Sequence, residues 1–135
     1  MSQPTSSPQY GPSNPSPAEH AAMPTQRFGA VIQLHPEKEA YYRKLHAHAW
    51  PSVLARLQAS NIHNFIIFRH QLEGKTYLFN YFEHHGEDLE GDMQAIAADP
   101  ETQRWWKETD PCQIRLPDAK DGENWSPMEM LFLME

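Results

Sequence analysis

Apolar residues after Thr25 follow two different periods in a fixed order, and this order limits the folds that the chain can adopt. Residues 27–34 (RFGAVIQL) alternate apolar and other side chains, which is typical of a half-buried strand. Residues 37–60 instead carry apolar side chains at helical spacings. Pro51 interrupts this helix, because proline removes an intrahelical hydrogen bond and restricts the residue before it. The sequence therefore predicts a kink or a restart at Trp50-Pro51.

The remaining elements complete a βαββαβ order. They are a strand at 61–69, a strand at 76–83, helices at 88–98 and 101–109, and a last strand at 128–134. A turn containing Gly74 joins the strands at 61–69 and 76–83, which predicts an antiparallel hairpin. This order predicts an α+β, ferredoxin-like fold of the dimeric α+β barrel type, with an antiparallel sheet and helices on one face. Because the opposite sheet face needs cover, we expect a homodimer.

Residues 1–24 differ in composition from the rest of the chain. They hold six of the twelve prolines, many serines and almost no large aliphatic side chains. Such a segment cannot bury enough apolar surface to offset its ordering entropy. We therefore predict a disordered tail at 1–24 and one folded domain at 25–135. Met23 leaves a second interpretation open, in which residues 1–22 are not native and Met23 is the start.

Charge and cysteine content exclude several classes of function. The net charge of −7, without a Lys/Arg cluster, argues against binding to nucleic acid or to an anionic membrane. The tail lacks a secretory signal, and no apolar run reaches the roughly 20 residues that span a bilayer. The lone Cys112 excludes an intrachain disulfide and fits a reducing compartment. We expect a cytoplasmic protein.

Cofactor and metal motifs are missing from the sequence. It has no G-x-G-x-x-G, no P-loop and no nucleophile elbow. His46 and His48 are two residues apart, whereas metal ligands on a helix prefer a spacing of four. We therefore expect no cofactor and no metal, which leaves acid/base chemistry on a small polar ligand.

His46 is the first candidate for that chemistry. Imidazole titrates near neutral pH, which suits proton transfer. Tyr42 lies four residues earlier, so a hydroxyl and an imidazole would share one helix face. A lone helical histidine is more often a surface residue, so the residue types alone leave both interpretations open.

Trp105 and Trp106 form the second candidate. Adjacent residues on a helix point about 100 degrees apart, so both cannot belong to one narrow core stripe, and one is expected to line a cleft. Flat indole rings suit the C–H face of a sugar, and each offers an N–H donor. The alternative is that one tryptophan packs in the core and the other covers the sheet edge or a dimer contact. Asn64 offers an amide for hydroxyls, or packs at the core edge.

Four motifs, in one order, resemble the L-rhamnose mutarotases. They are Y-x-x-x-H-x-x-x-W-P at 42–51, H-N-F at 63–65, Q-R-W-W-K at 103–107, and S-P-M-E-x-x-F at 126–132. The resemblance covers nearly the whole chain after Met23. It implies a dimeric ferredoxin-like fold and a cofactor-free isomerase that interconverts the α and β anomers of L-rhamnose.

The resemblance also implies roles for individual residues. In that family the histidine that matches His46 is the proton donor. The sugar contacts match four aromatic residues, Tyr42, Phe65, Trp105 and Trp106. Three further residues of these motifs, Trp50, Asn64 and Lys107, are expected to support the site.

Phe65 departs from the pattern of the rhamnose enzymes, which more often have tyrosine there. It keeps the aromatic face but lacks the hydroxyl, so one hydrogen bond to the sugar is missing or supplied elsewhere. Because a site built to bond a hydroxyl discriminates strongly, an L-fucose mutarotase remains an alternative. Two others are a cofactor-free dimeric α+β barrel protein with different chemistry, such as an oxygenase, and a non-catalytic sugar-binding module indifferent to His46.

Overall fold

A computed structural model describes residues 8–135 and gives the chain five α-helices and five strands in that range. The helices are α1 (Pro17–Ala21), α2 (Glu39–Ala47), α3 (Pro51–Ala59), α4 (Leu89–Ala98) and α5 (Pro100–Thr109). The strands are β1 (Gln26–Leu34), β2 (Ile62–Leu72), β3 (Lys75–His84), β4 (Gln113–Ile114) and β5 (Ser126–Pro127). Within residues 8–135, no helix is long and apolar enough to cross a bilayer.

The sheet runs in the order β2-β3-β1-β4, and every neighbouring pair is antiparallel. The short β5 also pairs with β1, opposite Ala30 and Val31. This order, with β1 and β3 in the centre, is the predicted ferredoxin-like arrangement, which is thereby confirmed.

The predicted last strand at 128–134 is wrong. Its place beside β1 is shared by β4 and β5, and the Met128 N–H still donates to the Gly29 carbonyl oxygen. Beyond that bond the segment forms no assigned strand within residues 8–135, and Leu131 is 72% exposed. Alternating apolar residues show what a segment could bury, but a strand also needs a neighbour with free backbone groups.

The helix predicted over 37–60 is divided where proline requires it. Helix α2 ends at Ala47, and α3 begins at Pro51 with Trp50 in an extended conformation before it. Proline is favoured at a first helical position, because the N–H that it lacks would have no partner there. The break allows α2 and α3 to take different directions over the sheet.

The core lies between the sheet and the helices. Ile32 and Leu78 face each other across β1 and β3 and pack with Leu34, Tyr42 and Cys112, all nearly inaccessible to solvent. Each large aliphatic side chain buried in this way contributes about 1.5–3 kcal/mol to folding. Tyr42 belongs to this cluster, so the core fixes the position of α2 relative to the sheet.

The other side of the sheet carries a row of apolar side chains that no helix within residues 8–135 covers. Ile66 pairs with Tyr81 and Phe68 with Phe79 across β2 and β3, which places these four on the face away from the helices. Phe68 is 59% exposed. These four residues define the open sheet face.

Residues 8–24 contain a short helix that the sequence did not predict. Ser16 and Glu19 form a capping box at the start of α1, and the Arg27 N–H donates to Nε2 of His20. The His20 ring also contacts Phe28 edge-on at 5.6 Å. Composition weighs only side-chain burial, whereas capping and a backbone bond stabilise this short helix; the disorder of the tail stays a prediction. The part of the predicted tail at 1–7 lies outside the described residues.

Candidate active site

A cavity of about 270 Å³ lies between the helices and the sheet. Tyr42 and His46 reach it from α2, and Trp105 and Trp106 reach it from α5. Phe65 and Asn80 line its sheet side, from β2 and β3. The structure thus brings the predicted acid/base residue and all four predicted sugar contacts to one cavity.

His46 is half-buried, and its tautomer follows from a local hydrogen bond. Its Nδ1 lies 2.8 Å from the carbonyl oxygen of Tyr42, one helical turn earlier. A carbonyl only accepts, so Nδ1 carries the proton and Nε2 has a free lone pair. Desolvation lowers the pKa of His46, and the bond to the Tyr42 carbonyl opposes this in part. His46 is therefore a neutral base at neutral pH.

Tyr42 offers a hydroxyl beside that base. Its ring stacks on the imidazole of His46 with centroids 4.1 Å apart. Burial is the main cause that raises the pKa of Tyr42 to about 12, so the hydroxyl keeps its proton. Nε2 of Gln113 donates to the Tyr42 oxygen at 3.2 Å. The tyrosine proton thus remains available for a ligand.

The two adjacent tryptophans both line the cavity. Trp105 is buried and meets the His46 ring edge-on at 5.2 Å, while Trp106 is partly exposed. Trp50 contacts Trp105 at 5.2 Å from the start of α3 but does not itself line the cavity. Trp50 therefore packs against Trp105 and supports it from outside the cavity. The break at Pro51 sets that contact.

The structure brings only one of three further predicted residues to the cavity: Phe65, but not Asn64 or Lys107. An irregularity between His63 and Ile66 in β2 leaves Asn64 with a φ of 52°, and its amide donates to Glu83 at 3.0 Å. Phe65 stacks on Phe82 with centroids 5.5 Å apart and lines the cavity. Asn64 and Lys107 do not line it.

Sequence reasoning missed several polar residues of the cavity, namely Asn80, Asp110, Gln113 and Asn124, together with Trp125. Partial burial raises the pKa of Asp110. Asn80 had a signal in the sequence, since it interrupts the inward-facing alternation of β3. The others lie after α5 in segments without regular period, where no pattern marks an inward-facing side chain.

Within residues 8–135, no three His, Cys, Asp or Glu side chains are close enough together to hold a metal ion.

Comparison with known proteins points in one direction. A family model described as L-rhamnose mutarotase matches residues 27–134. A mutarotase of that name from Opitutus terrae is 36% identical, over 68% of this chain and 84% of its own length. One from Oceanobacillus iheyensis is 32% identical, over 61% of this chain and 74% of its own. The crystal structure of L-rhamnose mutarotase from Formosa agariphila superposes with a TM-score of 0.61 at 20% identity, covering 82% of this chain and 99% of that one, and shows the shared fold.

Proposed function

This chain belongs to the L-rhamnose mutarotase family, and we propose that it interconverts the α and β anomers of L-rhamnose with His46 as the group that moves the proton. It is an isomerase of the anomer-interconverting type. The observation that carries the role of His46 is its hydrogen bond to the Tyr42 carbonyl, which leaves Nε2 as a free base in an aromatic cavity.

The reaction needs one proton removed and one delivered. Nε2 of His46 takes the proton of the anomeric hydroxyl, and the imidazolium returns it to the ring oxygen as the bond from C1 to that oxygen breaks. Both oxygens are attached to C1, so one imidazole can serve both. Rotation about C1–C2 and the reverse transfers close the ring on the other face. General acid/base catalysis of this kind typically increases the rate by about 10²- to 10⁴-fold.

The neighbouring side chains orient the ring. The protonated Tyr42 hydroxyl donates a hydrogen bond to a sugar oxygen, and Gln113 holds that hydroxyl in place. Trp105, Trp106 and Phe65 present flat faces to C–H groups and exclude water from the opening ring. Trp50 supports Trp105 from behind.

We further propose a homodimer in the cytoplasm. The open sheet face is too apolar to remain in water, and a second copy presents a face of the same chemistry. The buried, unpaired Cys112 fits a reducing compartment.

The activity is tested by NMR saturation transfer between the two anomers, with L-rhamnose and with L-fucose. We expect exchange to be accelerated in proportion to enzyme concentration, and more strongly for L-rhamnose. Faster exchange of L-fucose would reassign the substrate. Binding of either sugar without accelerated exchange would leave a non-catalytic sugar-binding module and refute the mutarotase.

A further inference from the structure

Asn80 is a polar residue at a position where the fold expects an apolar one. It lies in the middle of β3, on the face toward the helices, and is only 9% exposed. Its partners across the sheet are Ala30 in β1 and Ile67 in β2. Neither of these side chains can form a hydrogen bond.

The side-chain oxygen of Asn80 has no hydrogen-bond partner among residues 8–135. Its Oδ1 is fully buried and makes no hydrogen bond with the described residues. A buried carboxamide without partners carries a desolvation cost that apolar residues of similar size do not. Because no hydrogen bond within residues 8–135 holds the oxygen, the carboxamide can present either its oxygen or its NH2 group to a ligand.

Two other polar residues on the same face of β3 are satisfied within the protein. Thr76 accepts from Nε2 of Gln71 at 3.5 Å, and Nε2 of His84 lies 2.6 Å from a carboxylate oxygen of Asp92. Neither of them lines the cavity of His46, whereas Asn80 does. Of these three residues, Asn80, whose side-chain oxygen has no partner, is thus the one that lines the candidate site.

We infer that Asn80 hydrogen-bonds a hydroxyl of the sugar and so supplies the polar contact that Phe65 cannot make. The inference rests on the proposed function. Phe65 and Ile67 give the sheet side of the cavity an apolar surface for C–H groups, and Asn80 adds one polar group to it. The ligand is a pyranose with a hydroxyl directed at the sheet, and Asn80 determines specificity.

The test is a comparison of Asn80→Leu with wild type on L-rhamnose and on its 2-, 3- and 4-deoxy analogues. For Asn80→Leu, kcat/KM on L-rhamnose falls about tenfold to hundredfold. Thr76→Val is the matched control, since it removes a polar group from the same strand and face outside the cavity, and it leaves kcat/KM unchanged.

The analogues distinguish contact from general disturbance. In wild type, removal of the hydroxyl that Asn80 bonds lowers kcat/KM, and in Asn80→Leu the same removal has no further effect. The inference is overturned if each deoxy analogue lowers kcat/KM by the same factor in both proteins. It is also overturned if Asn80→Leu leaves kcat/KM for L-rhamnose unchanged. Asn80→Ser answers the same question should the leucine variant not fold.

Calorimetric titration with L-rhamnose separates this inference from the proposed function. Asn80-dependent binding without anomer exchange would refute the mutarotase and support the contact. Exchange that does not depend on Asn80 would refute the contact and support the mutarotase. Absence of both binding and exchange would overturn both.

Discussion

Nδ1 of His46 lies 2.8 Å from the carbonyl oxygen of Tyr42, in the preceding turn of the same helix. This bond fixes the tautomer, so that Nε2 is the basic nitrogen, and it holds the imidazole against the Tyr42 ring. One residue thus supplies a backbone anchor for the base and a hydroxyl donor beside it. The spacing of four residues is what allows both.

The pH dependence of the reaction follows from the burial of His46. Desolvation lowers its pKa below the ordinary value of 6.5, so the neutral base predominates at pH 7 and is lost on acidification through the lowered pKa. We expect kcat/KM to be flat from neutral to mildly alkaline pH and to fall on the acid side with an apparent pKa below 6.5. A profile measured by NMR exchange that inflects above 6.5 would contradict this assignment.

Tyr42→Phe tests the hydroxyl donor. The ring remains to stack on His46 and to fill the core, while the proton for the sugar is lost. We expect kcat/KM to fall about tenfold, corresponding to a hydrogen bond of ~1.4 kcal/mol, while the protein stays folded. Tyr41→Phe is the control, because Tyr41 is exposed, bonds Glu108 and lies outside the cavity. Equal activities of the two variants would argue against the role of Tyr42.

Phe68→Asp tests the homodimer. A carboxylate in the open sheet face would have to lose its hydration on association, so we expect the variant to be a monomer by sedimentation analysis while wild type is a dimer. Leu54→Asp is the control, since Leu54 is 48% exposed on α3 and lies away from the open sheet face. A monomeric wild type, or a dimeric Phe68→Asp protein, would refute this interface.

Removal of residues 1–24 tests the separation of α1 from the catalytic domain. Helix α1 does not line the cavity and precedes the family match, so we expect anomer exchange to be retained. The free energy of unfolding in urea should fall by about 1–3 kcal/mol, because Phe28 loses the cover of His20. Loss of exchange in a truncated protein that is still folded would show that the site depends on this segment.

The longer elements of this fold, β1 to β3 and α2 to α5, were predictable, because each has a periodic pattern. The alternation in β1 and the proline at position 51 predicted a strand and a helix break that the structure confirms. His84 ends β3 and is buried against Asp92 of α4, a contact between two elements that the period of neither one encodes. No local pattern marks Trp125 either, because it reaches the cavity from a loop.

The candidate site was predicted only in part. The spacing alone placed Tyr42 and His46 on one helix face, and the adjacency of Trp105 and Trp106 predicted that one of them lines a cleft. The role of Phe65, and of both tryptophans together, came from the resemblance. The position of Asn64 was not foreseeable, because the irregularity in β2 turns it toward Glu83. Asn80, and not Asn64, is the asparagine that lines the cavity from the sheet.

The most direct test of the central claim is NMR saturation transfer between L-rhamnose anomers for His46→Ala beside His48→Ala. His48 is an exposed histidine two residues further on, outside the cavity, so its loss controls for a general effect on α2. We predict that His46→Ala lowers the catalysed exchange by about 100-fold or more and that His48→Ala leaves it at the wild-type rate. Undiminished exchange in a folded His46→Ala protein would contradict the assignment of His46 as the acid/base group.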